Sequence, residues 1–225
     1  MQDYFDKIGS SRLFSGFSRD EMVRALSCLD GTIRHLDRKE ILFREDDPLD
    51  SVGIILNGQV LLCKENAYGV RFIFSDLGEG EIVGETALRH SRESSGYEAM
   101  AGTDSSLLFL KINKIITPGQ NTCSLRGRII ENLMALLLDN NRSMYQKLDL
   151  VSHKSLRERI LHYLALQSKK HNSSSFEIPF SRSDLADYLS VDRSALSREL
   201  QRMAEAGLIR FSKNYFELLD RELIP

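Results

Sequence analysis

Ser194, Ser197, Arg198 and Gln201 recur at the i, i+3, i+4 and i+7 positions of one helical face, while Leu196, Leu200 and Met203 fall on the other. The polar face is dense in hydrogen-bonding groups. Arg193 and Arg198, at the front of this segment, carry forked guanidinium donors that suit a guanine edge or a phosphate. Ser194, Ser197 and Gln201 can bond bases or backbone. With Arg182, at the start of the preceding helical segment, these form the candidate DNA-binding set. An ordinary amphipathic helix with a solvated face shows the same periodicity, so the flanking signals carry the decision.

Those signals describe a helix, a tight turn and a second helix between Ser181 and Ile209. Ser181 followed by Asp184 boxes the first N-terminus, Asp192 caps the second helix, and Gly207 ends it. The turn lies near Leu189 to Val191. Beyond Gly207, LIRFSK, Asn214 and YFELL are two short apolar runs around a turn, as the wing of a winged helix requires. A polar helix so supported suits the major groove of double-stranded DNA.

With 225 residues the chain suits one large or two modest domains. No apolar run is long enough to span a bilayer, and Met1 to Ser10 lacks a basic-then-apolar signal pattern, so a soluble, cytoplasmic protein away from membranes is expected. Cys28, Cys63 and Cys123 are too scattered for a disulfide framework or a CxxC metal site and read as buried or inert. The net charge of −2 looks wrong for a DNA binder until the chain is divided after Ser152. Residues 153–225 then carry 12 Lys and Arg against 10 Asp and Glu, while residues 1–152 carry 18 against 22. Basic charge is thus mildly concentrated at the C-terminal end, a weak signal by itself.

From Gly31 to Lys111 the chain gives short runs such as ILFRE, SVGIILNG, QVLLCKE, VRFIFSDLG, GYEAMAG and SSLLFLK, with turn signals at Asp46-Asp47-Pro48, Asn57-Gly58 and Gly78-Glu79-Gly80. Strands at this spacing predict a sandwich or jelly-roll barrel. Before them, Ser18 to Leu29 reads as a short helix with apolar Met22, Val23, Leu26 and Leu29. A long helix from about Leu125 to Leu150 carries two apolar stripes. Ile130, Met134, Leu137, Asn141, Met144, Leu148 and Val151 alternate steps of four and three, the seam of a homodimer in which Asn141 sets register. Ile129, Leu133 and Leu136 face the barrel. Ser155 to Ser168 is a further amphipathic helix, and the polar run 169–175 reads as a loop. The expected domains are an effector-sensing barrel with N-terminal helices at 1–124, a dimerisation helix at 125–152 and a DNA-binding domain at 153–225.

This order of parts resembles the Crp/Fnr transcription factors, the cyclic-AMP receptor protein and fumarate-nitrate reductase regulator family, over nearly the whole chain. The resemblance rests on LeuAsnGlyGlnVal at 56–60, GlyGluGlyGluIleValGlyGlu at 78–85, the long helix, and FSRSDLADYLSVDRSALSREL at 180–200. It implies an α+β chain: an N-terminal double-stranded β-helix barrel of the cyclic-nucleotide-binding type, a long dimerisation helix and a C-terminal winged helix-turn-helix. It implies a homodimer acting on a two-fold symmetric operator under an effector in the barrel, with a surface for RNA polymerase if the protein activates. Arg198 matches the family's recognition arginine, Arg193 and Ser194 take neighbouring base-contacting positions, and Ser197 precedes the arginine as in the Fnr branch. Gly84, Glu85, Thr86, Ser95 and Gly96 fall at the effector pocket, and Met144 and Tyr145 stand where the family's long helix supplies hydroxyls to adenine.

That comparison speaks against cyclic AMP. In its binders a Gly-Glu pair is followed ten residues later by Arg and then Ser or Thr; the glutamate accepts from the ribose, while the arginine and backbone amides neutralise the phosphate. Here Ser95 and Gly96 occupy those two positions, and Arg89 and Arg92 are out of register. An iron–sulfur sensor needs four cysteine ligands, more than the three present. His35, His90 or His153 as a haem ligand would each be a lone histidine. No cofactor is therefore assigned, and a small apolar or anionic effector remains open. A metal enzyme of the cupin type would need clustered ligands; no His-x-His pair occurs, no acidic residue stands beside a histidine in ligand spacing, and neither a nucleophile elbow nor a phosphate-binding Gly-Lys-Ser loop is present. No metal site and no catalysis are expected. The alternative is a ligand-binding regulatory module whose C-terminal helix pair docks on a partner protein.

Overall fold

The structure, a computed structural model, describes residues 2–88, 95–111, 114 and 124–219. Cys123, His90, Arg89 and Arg92 lie outside the described residues. Packing divides the chain into two compact units, one made of Met1–Lys64 with Ser75–Ser143, the other of Glu65–Phe74 with Met144–Pro225.

The barrel, whose residues Glu65–Phe74 group with the second unit, is built on strands β1 (Thr32–Leu36), β2 (Ile41–Phe43), β3 (Val52–Asn57), β4 (Val60–Glu65), β5 (Arg71–Leu77), β6 (Ile82–Val83), β7 (Glu98–Ala101) and β8 (Ser105–Leu110). They form two four-stranded sheets in the orders β1-β8-β3-β6 and β2-β7-β4-β5. The chain passes back and forth between the sheets, and only β4 and β5 are both sequential and adjacent. This is the jelly-roll arrangement. Its centre is β3, an unbroken apolar run from Val52 to Leu56 that is buried throughout and pairs antiparallel with both β8 and β6. A run of that kind has no solvent face to display, unlike a strand of strict alternation.

The turn after β3, which carries the chain from one sheet to the other, shows what the Asn57-Gly58 turn signal encodes. Gly58 has φ +92°, and a Cβ there would overlap the Ser105 hydroxyl and the Asp104 carbonyl, both on or beside β8. The close approach lets the Gln59 amide donate to Ser105 Oγ at 3.0 Å. Gly58→Ala combines a left-handed backbone with a backbone clash, so we expect it to destabilise the barrel by more than about 1 kcal/mol, read as a lowered midpoint in urea.

Helix α1 (Gln2–Ser10), a 3-10 turn (Arg12–Phe14) and α2 (Arg19–Cys28) precede the barrel. Ser18 caps α2 in a full capping box with Glu21. Met22 and Leu29 are buried as expected, but Val23 projects outward and is exposed, because it lies off the packed face. Cys63 is buried, whereas Cys28 is exposed rather than buried. The long helix α3 runs from Arg126 to Ser152, two residues beyond its expected C-terminus. Its stripe of Ile129, Leu133 and Leu136 is buried in one cluster with Leu13, Phe14, Leu29, Ile54, Leu108 and Leu110, as the second stripe predicts. Asn132 Nδ2 donates to the Leu13 and Ser15 carbonyls at 2.9 and 3.0 Å, fixing the start of the helix against the N-terminal segment.

The second unit contains α4 (Leu156–His171), β9 (Ser175–Glu177), α5 (Arg182–Leu189), α6 (Arg193–Glu205), β10 (Ile209–Ser212) and β11 (Tyr215–Leu218), with the strands in the order β10-β11-β9. The polar run 169–175 is not simply a loop. Lys169, Lys170 and His171 form the last turn of α4, Asn172 closes it in the left-handed region, and Ser175 begins β9. Cations favour a helix C-terminus, which explains why this polar stretch stays helical.

Candidate nucleic-acid interface and effector site

Ser181 accepts from the Asp184 amide while Asp184 accepts from the Ser181 amide, so α5 begins with the expected capping box. Burial would raise the Asp184 carboxyl, but bonds from Ser181 and from the Arg71 guanidinium outweigh it and hold the group below the usual carboxylate range. Arg71 bonds Asp184 at 2.5 Å through its terminal nitrogen and Asp187 at 2.8 Å through Nε. Ser190, in the left-handed region with φ +56°, makes the turn between the helices. Asp192 then caps α6, accepting from the Ser194 and Ala195 amides; the Ser194 hydroxyl, and after it those amides, hold its carboxyl below the usual range.

With both ends fixed, α6 presents two chemically opposite sides. Leu196, Leu200 and Met203 are wholly buried. Arg193, Ser194, Ser197, Arg198 and Gln201 are all exposed. Ser197 Oγ donates to the Arg193 carbonyl at 3.0 Å and Gln201 Nε2 donates to Glu205 at 3.1 Å, so these two are held in place by the helix itself. Among the described residues Arg193 and Arg198 make no salt bridge, in contrast to Arg157 and Arg202, which share Glu199. The face therefore offers two forked cations with donors still available and three small hydrogen-bonding groups around them.

Arg182 has a different setting. Its guanidinium lies 5.2 and 5.4 Å from the ring centres of Phe211 and Phe216 and donates to the Lys213 carbonyl at 2.7 Å, tying the turn of the β10–β11 hairpin to α5. Burial, with Arg193 nearby, pulls its pKa below the ordinary arginine value. It is engaged on the wing, and no local pattern in the sequence marks that contact.

In the barrel, Gly84, Glu85, Ser95 and Gly96 come together around a residue the sequence reading missed. The Tyr97 hydroxyl accepts from the Gly84 amide at 3.3 Å and donates to Glu85 Oε2 at 2.9 Å. Burial, and the adjacent Glu85 charge, push this phenol far above its ordinary pKa, so it remains a donor. Ser95 is buried with its hydroxyl directed at the Arg44, Glu45 and Tyr97 carbonyls, the last at 2.6 Å. Gly96, with φ +75°, donates its amide to the Glu45 carbonyl at 3.1 Å. Thr86 Oγ1 is buried and finds no partner among the described residues, a polar atom left over beside Glu85. Met144 and Tyr145 are exposed on α3 and group with the second unit.

The histidines also depart from expectation. Asp149 precedes His153 by one helical turn, and His162 of α4 completes a cluster whose three ligand atoms lie within 4.8 Å of one another. The expectation that no acidic residue stands in ligand spacing to a histidine therefore fails; it overlooked i, i+4 spacing at the end of a helix.

A two-sheet barrel followed by a capped helix-turn-helix with a wing is the order of parts of a DNA-binding transcription regulator, and comparison with known proteins agrees. Residues 33–117 match the family model of the cyclic nucleotide-binding domain, and residues 158–224 that of the Crp-like helix-turn-helix domain. The chain is 27% identical over 214 residues to the cyclic AMP receptor protein of Thermus thermophilus, covering 95% of each sequence. It is 26% identical over 190 residues to the transcriptional regulatory protein btr of Bordetella pertussis, covering 82% of this chain and 76% of that one. Among solved structures, FixK2 of Bradyrhizobium japonicum superposes with a TM-score of 0.71 at 22% identity, covering 85% of this chain and 94% of that one. The c-di-GMP-responsive regulator CLP of Xanthomonas campestris gives 0.75 at 19%, covering 90% and 100%. The chain belongs to the Crp/Fnr family of DNA-binding transcription regulators. That family comprises regulators rather than enzymes, and among the described residues no helix is long and apolar enough to cross a membrane.

Proposed function

We propose that this regulator acts as a homodimer on a two-fold symmetric DNA site, with Arg193, Ser194, Ser197, Arg198 and Gln201 of α6 in the major groove. The observation that carries the reading is the exposed, cationic and hydroxyl-rich face of α6 set over wholly buried Leu196, Leu200 and Met203. Arg182 serves it by holding the wing against α5. Residues 153–225 are the DNA-reading part, residues 1–124 the sensing part, and 125–152 the helix that joins two chains. Met134, Met144 and Leu148 support pairing, being apolar yet about half exposed or more at 56%, 48% and 64%.

The effector is one other than cyclic AMP. Glu85, which would accept from a ribose hydroxyl, already accepts from Tyr97 at one of its two oxygens, and the Ser95 hydroxyl is directed at backbone carbonyls. Neither Ser95 nor Gly96 brings a positive charge to a phosphate. The Thermus thermophilus relative is named for cyclic AMP, so the direct test is to select DNA from a random pool with the full chain, in the presence and absence of that nucleotide. A two-fold symmetric motif enriched without nucleotide is the expected result. Enrichment only with cyclic AMP would overturn the effector reading, and a motif without symmetry would overturn the dimer. No enriched motif in either condition would favour a module docking on a partner protein.

A further inference from the structure

We propose that Asp149, His153 and His162 form a binding site for a divalent transition metal of the zinc, cobalt or nickel class. Asp149 lies in the last turn of α3, His153 immediately follows that helix, and His162 lies in α4. Asp149 Oδ2 and His162 Nε2 are 3.4 Å apart. A tetrahedral ion with bonds of about 2.1 Å places neighbouring ligand atoms roughly 3.4 Å from one another, so this pair already spans one edge of the coordination sphere. The ring centres of His153 and His162 are 4.9 Å apart with their planes tilted by 45°. All three ligand atoms fall within 4.8 Å, so closing the third position asks for a movement of about an ångström.

A second observation concerns His153 alone. Its Nε2 is buried and has no hydrogen-bond partner among the described residues. A buried ring nitrogen without a partner is costly, and a metal ion is one of the few groups that would satisfy it. The backbone there is already held, because the His153 carbonyl accepts from Arg159 Nε at 2.9 Å. Asp149 remains largely exposed at 64% for its side chain, which leaves a path for the ion and room for water at the remaining positions. Two imidazoles and one carboxylate with open positions favour these borderline metals over magnesium or calcium, which prefer oxygen donors.

An ion held there would join the end of α3 to α4 across the connection 153–155. Cobalt(II) is the probe, added to the untagged full-length chain, since its visible bands report low coordination number and its near-ultraviolet bands report thiolate. The expected result is saturation at one ion per chain without a thiolate band, together with slowed amide exchange confined to residues 149–162. His162→Gln and Asp149→Asn should each weaken binding by at least about 100-fold, more than loss of an outer-shell partner costs. Asp149 is exposed, so its variant reports on the metal even if the histidine variant folds poorly. Weak or multiple binding, a thiolate band, or saturation unchanged in both variants would each overturn the site. None of these readouts involves DNA.

Discussion

Replacing Arg198 by alanine lowers affinity for the selected operator by about 1 to 3 kcal/mol if the guanidinium reads a guanine edge, and leaves binding to random DNA nearly unchanged. The side chain is exposed and makes no salt bridge among the described residues, so its removal takes nothing from the buried side of α6. Alanine is also the better helix former, and the cap at Asp192 is untouched. The fold is therefore held constant, and a thermal midpoint within a degree or two of the parent's verifies it. The two roles open to an arginine here separate cleanly in a titration of salt. A base contact loses affinity on the operator alone, with the salt dependence preserved. A phosphate contact loses it equally on all sequences and reduces the slope of log affinity against log salt by about one. Equal loss on both DNAs would assign Arg198 to the backbone and move the reading role to Arg193.

Why so much of α6 was legible before the structure is a matter of range. Ser18, Ser181 and Asp192 bond amides two or three residues away, so the capping pattern contains its own partners. The stripe of Ile129, Leu133 and Leu136 on α3 is legible for a similar reason, since a helix converts spacing directly into direction. Long-range partners left no such trace. β6 is only Ile82 and Val83, recognisable as a strand because Gly53 and Ile54 lie beside it. β9 hides in a serine-rich stretch and is defined by its pairing with β11. Tyr97 is one aromatic among several in the sequence, although its hydroxyl joins the Gly84 amide to the Glu85 carboxylate. Arg182, at the head of α5, belongs to the candidate DNA-binding set by its position alone. Its engagement came from Phe211 and Phe216, some thirty residues on. Asp149 and His153 are within local reach, but one helical turn apart rather than side by side in the sequence, so helix geometry is what brings them together.

A double substitution, Met134→Asp with Leu148→Asp, should convert the protein to a monomer and abolish tight binding to a two-fold site. Both residues lie on the heptad seam of α3, and both are largely exposed in the single chain. Leu137, at the middle of the same seam, is a poorer choice, because it also packs against the barrel core with Ile130 and its loss would confuse assembly with folding. In a pair related by two-fold symmetry each substitution acts twice. Fully burying an apolar side chain of this size contributes about 1.5 to 3 kcal/mol, so four such losses remove roughly 6 to 12 kcal/mol. That is comparable with the whole association energy of a micromolar to nanomolar dimer. The new carboxylates would also have to be buried, which costs more. Sedimentation at micromolar concentration reads the assembly, and titration of the operator reads its consequence. One helix-turn-helix contacts one half-site, so a monomer loses the second contact that two-fold symmetry supplies at high local concentration. Affinity should fall by two orders of magnitude or more, following the roughly 10²-fold gain that linkage gives. A variant that still sediments as a dimer would place the interface elsewhere. A monomer that holds the symmetric operator as tightly as the parent would break the link between the α3 seam and DNA recognition, leaving α6 to act alone.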